Sequence, residues 1–302
     1  VSTRASLFDS AFLAKLEQLH LLARRIFRGD RRAERRSRQT GASLEFADYR
    51  EYTPGDEPRS IDWNAYGRLE RLFVKLHEQE QDLPVTFLVD CSASMRWLPE
   101  EKPDAPGKFD HARRLCAALA YIALANLDRV DIHFFAASSV RELGVARGKA
   151  QFHSVLKFLD AAPDADGPTR LLNAARSLTQ RARRRGLIFV LSDLFDPRGY
   201  EEPLSLLRHS QFDVHVLQIL APEELAPTIA GDLSLHEIEA GSAMDITAND
   251  KLLRCYREEL TKFNDALESF CLRRGIAFAQ VMTDTPFEDV VLRALRDGVM
   301  IR

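Results

Sequence analysis

Apolar positions along this chain follow two rhythms. In residues 6–28 they fall three or four apart, at Phe8, Phe12, Leu16, Leu19, Ala23 and Ile26, which predicts an amphipathic helix. From residue 84 onward short apolar runs alternate with helical stripes. Runs at 85–90, 187–191, 212–220 and 276–282 read as buried strands. Stripes at 108–127, 152–159, 169–185, 203–209, 249–273 and 287–296 read as helices. Phe109, Ala112, Cys116, Leu119 and Ala123 mark the buried side of the first of these. Segments 131–136 and 139–143 are close enough to pair as a hairpin. Strand alternating with helix predicts an α/β domain, a mainly parallel sheet with helices on both faces.

Two stretches break that rhythm. Segments 43–52 and 69–77 have strand-like composition, with the turn Thr53-Pro54-Gly55-Asp56 between them. Ile61 and Trp63 are expected as core anchors there, and Arg50, Asp56, Arg59 and Asp62 as a possible ion-pair network. Residues 232–247 resemble an inserted hairpin around Ala240-Gly241-Ser242, a candidate to pair with the strands near 43–52 and 69–77. The expected organisation is a helix and small β-rich segment over 1–83, then the α/β domain over 84–302.

The 302 residues are 45% apolar with a formal net charge of −3, enough for a sizeable core and too balanced for a general nucleic-acid binder. An arginine-rich run lies between Arg24 and Arg38. Glu34 and Asp30 dilute it and no aromatics interleave it, so a solvated helix end explains it better than a phosphate-binding patch. No apolar run approaches the roughly 18 residues of a membrane span, and no secretory signal is expected. The four cysteines form no Cys-x-x-Cys pair, which fits a reducing, cytoplasmic setting.

The chemistry concentrates where the strand 85–90 ends. Asp90-Cys91-Ser92-Ala93-Ser94 carries a carboxylate and two hydroxyls at alternating positions, and a chain turning off a strand can aim all three at one point. Such oxygens suit a hard cation such as Mg²⁺. Thr169, just before a helix, and Asp193, after the run 187–191, are placed to join them, because ligands of open α/β sheets sit beyond the strands' carboxyl ends. Neutral hydroxyls leave much of a divalent charge uncompensated, so an open coordination position would attract an outside Asp or Glu carboxylate. The rival class is a Mg²⁺-dependent hydrolase or phosphatase with Asp90 as nucleophile, but Ser92 stands where a second Asp would serve as general acid. No Gly-x-Ser-x-Gly elbow or His-Glu-x-x-His site occurs. The stretch 144–150 is one residue short of a phosphate-binding loop and ends in Ala150.

Asp-x-Ser-x-Ser, then a Thr before a helix, then an Asp after a hydrophobic strand resembles the von Willebrand factor A domain and its metal-ion-dependent adhesion site. That resemblance implies a Rossmann-like fold. It also implies Mg²⁺ (or Mn²⁺) held by the hydroxyls of Ser92, Ser94 and Thr169, with Asp90 and Asp193 acting largely through water. The family often has Gly after the last Asp, where this chain has Leu194, which makes Asp196 the fallback for Asp193. Upstream, Phe46-x-x-Tyr49-Arg50-x-Tyr52-x-Pro54-Gly55-Asp56-x-x-Arg59-x-Ile61-Asp62-Trp63 resembles the bacterial domain-of-unknown-function family fifty-eight, over roughly residues 40–300. That resemblance implies a non-enzymatic adaptor or co-chaperone working with a MoxR-type AAA+ ATPase.

Overall fold

The computed structural model describes residues 7–30, 40–54, 56, 58, 61–78, 83–96, 107–137, 141–162, 169–181, 185–227, 231–236 and 243–296. The chain divides into two compact units, one of residues 28–82 and one of residues 1–27 with 83–302.

The larger unit begins with α1 (Ser10–Asp30), whose Phe12, Leu16, Leu19 and Ala23 are buried in its core. The sequence groups this helix with the β-rich segment, but its apolar stripe is covered by the α/β domain. Phe12 lies against Phe287, and His20 meets Tyr121 edge-on. The side chains of the arginine-rich run lie outside the described residues.

In the smaller unit, β1 (Thr40–Glu51) pairs antiparallel with β2 (Phe73–Glu78). Between them lies α2 (Trp63–Leu69), and the second strand, expected over 69–77, begins only at Phe73. Asp62 is the reason. Its carboxylate accepts the N–H groups of Asn64 at 2.9 Å and Ala65 at 3.3 Å, which caps a helix at this point. Trp63 then falls on the outer face and is 63% exposed, so it is not a core anchor, whereas Ile61 is half-buried and bridges Val74. Of the expected charge network, Arg50 and Asp56 pair at 2.6 Å, and Arg59 lies outside the described residues.

The larger unit continues through β3 (Pro84–Asp90), α3 (Lys108–Ala125), β4 (Arg129–Phe135), β5 (Arg141–Arg147), α4 (Phe152–Asp160), α5 (Leu171–Arg181) and β6 (Leu187–Ser192). Then come α6 (Glu201–His209), β7 (Asp213–Leu220), α7 (Pro222–Leu225), β8 (Gly231–His236), β9 (Ala243–Ala248), α8 (Asp250–Arg273), β10 (Ala277–Met282) and α9 (Phe287–Arg296). Six strands form one sheet in the order β10-β7-β6-β3-β4-β5, all parallel except the edge hairpin partner β5. Alternate residues of the central strands feed two cores. Val85, Phe87, Val89, Phe189 and Leu191 pack with α1, α3, α4 and α9, while Leu88, Ile188 and Val190 pack with α5, α6 and α8. Both faces are therefore covered, as the continuous apolar runs require. Among the described residues the hairpin β8–β9 forms a two-stranded sheet of its own, where pairing with the strands near 43–52 and 69–77 is expected.

Strand order fixes where chemistry can gather. After β3 the chain moves to β4 and β5 on one side, then crosses to β6 on the other. The loops leaving β3 and β6 thus diverge at the middle of the sheet, the crevice in which open α/β sheets hold ligands.

Candidate functional site

Asp90 is the last residue of β3 and is fully buried. One carboxylate oxygen accepts the N–H of Ser92 at 2.9 Å, closing a turn that reverses the chain. The other accepts the hydroxyl of Ser192, the last residue of β6, at 2.6 Å. The two central strand ends are tied by this bond across a sequence separation of 102 residues. Ser92 and Ser94 hold their hydroxyl oxygens 3.1 Å apart, with Ser94 opening a short 3-10 turn to Arg96. Ser92 is buried and Ser94 only half-buried, so Ser94 faces the way in. Cys91 points into the core beneath, where its thiol and N–H both reach the Phe135 carbonyl, so it has little room for substitution.

Asp193 follows β6 and is also fully buried. One oxygen accepts the N–H of Phe195 at 3.2 Å, and the other accepts the ammonium of Lys108 at 2.8 Å. Between Asp193 and Phe195, Leu194 adopts φ +62°, the left-handed conformation that glycine takes without strain. Here that conformation is held by a buried leucine. Asp196 accepts the N–H groups of Leu171 at 3.2 Å and Arg198 at 2.9 Å. It ties the start of α5 to the loop after β6, and Thr169 is buried two residues before α5. Asp90 thus ends β3, Ser92 and Ser94 lie on the loop that leaves it, Asp193 follows β6, and Thr169 precedes the helix that Asp196 holds to that second loop.

Five participants are not singled out by the sequence. Ser192 bonds Asp90 and also accepts the Leu194 N–H at 3.0 Å. Lys108, the first residue of α3, is 1% exposed and donates to Asp193 and, at 2.5 Å, to Glu224 of α7. Gln218 of β7 donates to the Asp193 carbonyl at 3.4 Å and to Asn264 of α8 at 3.0 Å. The available signal was Lys108 itself: a cation at a helix N-terminus opposes the helix dipole, which is tolerated when carboxylates hold it there.

Among the described residues, Lys108 meets two carboxylates, Asp193 and Glu224, and the Asp90 carboxyl lies close enough to Asp193 to feel its charge. Burial chiefly, with the Asp193 carboxylate adding to it, pushes the Asp90 carboxyl up to about 7 against the hydrogen bonds from Ser192 and Ser92. Burial works against the charge on Lys108, but Asp193 and Glu224 outweigh it and raise its pKa. Among the described residues no group of three or more His, Cys, Asp or Glu is placed to hold a metal. The candidate donors here are mainly hydroxyls, and an oxygen-seeking cation fits them and the buried carboxylates beside them.

The fold and site define a mixed α/β protein with a mainly parallel six-stranded sheet and a polar cluster at its switch point. The chain belongs to the family described as Protein of unknown function DUF58, which matches residues 48–267. An uncharacterized protein of Mycobacterium tuberculosis is 23% identical over 251 residues, covering 82% of this chain and 78% of that protein. An uncharacterized protein of Mycobacterium bovis matches to the same extent. Among solved structures, the conserved hypothetical protein BatB from Bacteroides thetaiotaomicron superposes with a TM-score of 0.45 at 14% identity, over 72% of this chain and 99% of that one. At that score the likeness adds nothing to the strand order above.

Proposed function

We propose that this protein is a non-enzymatic, divalent-cation-dependent protein–protein interaction module built on a von Willebrand A-like domain. Ser92, Ser94 and Thr169 would supply hydroxyl oxygens to Mg²⁺ or Mn²⁺, with Asp90 and Asp193 behind them. A partner's Asp or Glu would complete the shell from the side of Ser94. The supporting observation is the cluster at two adjacent strand ends: the paired hydroxyls of Ser92 and Ser94 beside the buried carboxylates of Asp90 and Asp193. Bound there, the cation would supply an electrophilic point for a carboxylate.

The same geometry disfavours Asp90 as a phosphoryl-accepting nucleophile. Both of its oxygens are engaged by Ser92 and Ser192, and burial holds its carboxyl up near neutrality. The partner class, a MoxR-type AAA+ ATPase, comes from the family resemblance. A cytoplasmic location is the expectation that the cysteine pattern carries. Among the described residues no helix is long and apolar enough to cross a membrane.

The test is binding of a purified MoxR-type ATPase in MgCl₂ and in chelator, with wild type and Ser92→Ala/Ser94→Ala. Binding by wild type in MgCl₂ alone, lost in the double variant, is the expected result. Equal binding in all four conditions removes the site from the interaction. Robust Asp90-dependent phosphatase turnover overturns the reading altogether.

A further inference from the structure

We propose that Lys108 is a resident counter-cation that holds the metal-free site together and competes with the divalent ion for Asp193, thereby setting the site's cation affinity. This inference rests on the reading of the site as one for a divalent cation.

Lysine is almost never fully buried unless paired. Lys108 is buried at the end of α3 where the helix dipole is least favourable to it, and its whole compensation is two carboxylates on separate elements, Asp193 after β6 and Glu224 on α7. Neither partner is free to follow it elsewhere. Glu224 spends its second carboxylate oxygen on the Ala221 N–H at 2.8 Å, and its backbone carbonyl accepts the Tyr256 hydroxyl of α8 at 2.9 Å. Asp193 is fixed by the Phe195 N–H and by Gln218 at its carbonyl. The ring of Phe195 lies 5.7 Å from the ammonium and helps exclude water from it.

The consequence lies at one oxygen. Asp193 presents Oδ1 to a backbone donor that is always there, and Oδ2 to an ion. A divalent cation that draws on Asp193, directly or through water, must share Oδ2 with an ammonium that the helix cannot remove. Without the ammonium, the metal-free protein would bury the two carboxylates uncompensated. Lys108 thus trades tight metal binding for a fold that forms without metal, and Glu224 sets how firmly the ammonium is held.

Lys108→Met keeps the stem and removes the charge. Thermal melting in chelator and in saturating MgCl₂, with calorimetric titration of MgCl₂, tests the assignment. In chelator the variant is expected to melt about 10 °C below wild type, because a buried pair has been broken. MgCl₂ should recover most of that loss while raising wild type by only a few degrees. The magnesium dissociation constant should fall at least about tenfold. If the variant does not fold, Lys108→Met/Glu224→Gln removes one carboxylate with the ammonium, and its Mg²⁺-induced rise must still exceed that of wild type. Equal loss of melting temperature with and without MgCl₂, at unchanged magnesium affinity, overturns the inference and leaves the proposed function standing. No magnesium binding by any of the proteins overturns both. Binding by the variants alone supports the inference and removes the metal from the wild-type function.

Discussion

Asp90→Asn should make the metal-free protein more stable, and increasingly so as pH rises. A carboxyl titrating at about 7 in the fold and at 3.8 when unfolded binds its proton more tightly in the native state. Its contribution to stability is fully present below pH 3.8 and is lost as pH climbs through 7. Three pH units of separation correspond to about 4 kcal/mol of lost stability at pH 8, but only about 1.5 kcal/mol at pH 5. Asparagine is neutral throughout and escapes this loss. Against the gain, Ser92 N–H and Ser192 O–H both point at the carboxylate, and an amide cannot accept from both through its single oxygen, which costs about 1 kcal/mol. The net expectation is about 3 kcal/mol of stabilisation at pH 8, a rise of roughly 6 °C in melting temperature, shrinking to near zero at pH 5. Urea denaturation in chelator at the two pH values measures it. A variant no more stable than wild type at pH 8 would show that the buried carboxylate is not under electrostatic stress, and the case for a missing cation would go with it. The same substitution should abolish any Mg²⁺-induced stabilisation.

Four further substitutions probe the fold. Leu194→Gly relieves a left-handed residue, worth about 1–2 kcal/mol, but empties a buried leucine position, which costs about 2–5 kcal/mol, so denaturant titration should show a net loss. Gly186→Ala would place a Cβ 2.1 Å from the Pro84 carbonyl oxygen, where β6 runs beside β3, and should cost about 2 kcal/mol or more. Gly144→Ala, with open space around it, should stay within about 0.5 kcal/mol by the same measurement. Trp63→Ser should change stability by no more than about 0.5 kcal/mol, and a loss above 2 kcal/mol would restore Trp63 to a core.

Local pattern carried much of the architecture. The apolar runs at 85–90 and 187–191 became the two central strands because a strand covered on both faces must be apolar at every position. Pairing across a short loop was also readable, as in β4 with β5 and β8 with β9. What periodicity could not supply was competition between local devices. At 62–63 an aspartate cap decided for a helix, and a tryptophan that looked like an anchor was turned outward. Asp90, Ser92, Ser94 and Asp193 could be placed from the sequence because they stand at or just after strand ends. Lys108 and Glu224 could not, since their meeting spans 116 residues and depends on α7 reaching the start of α3.

The bond between Ser192 and Asp90 also has a consequence for biosynthesis. Contacts so distant in sequence form only after the intervening chain has been made and its loop entropy overcome. A growing chain that has not yet produced β6 has Asp90 and Ser92 but neither Ser192 nor Asp193, and its central strand lacks a neighbour. The assembled cluster is therefore absent from truncated or half-folded copies, and the partner proposed above would engage only finished molecules.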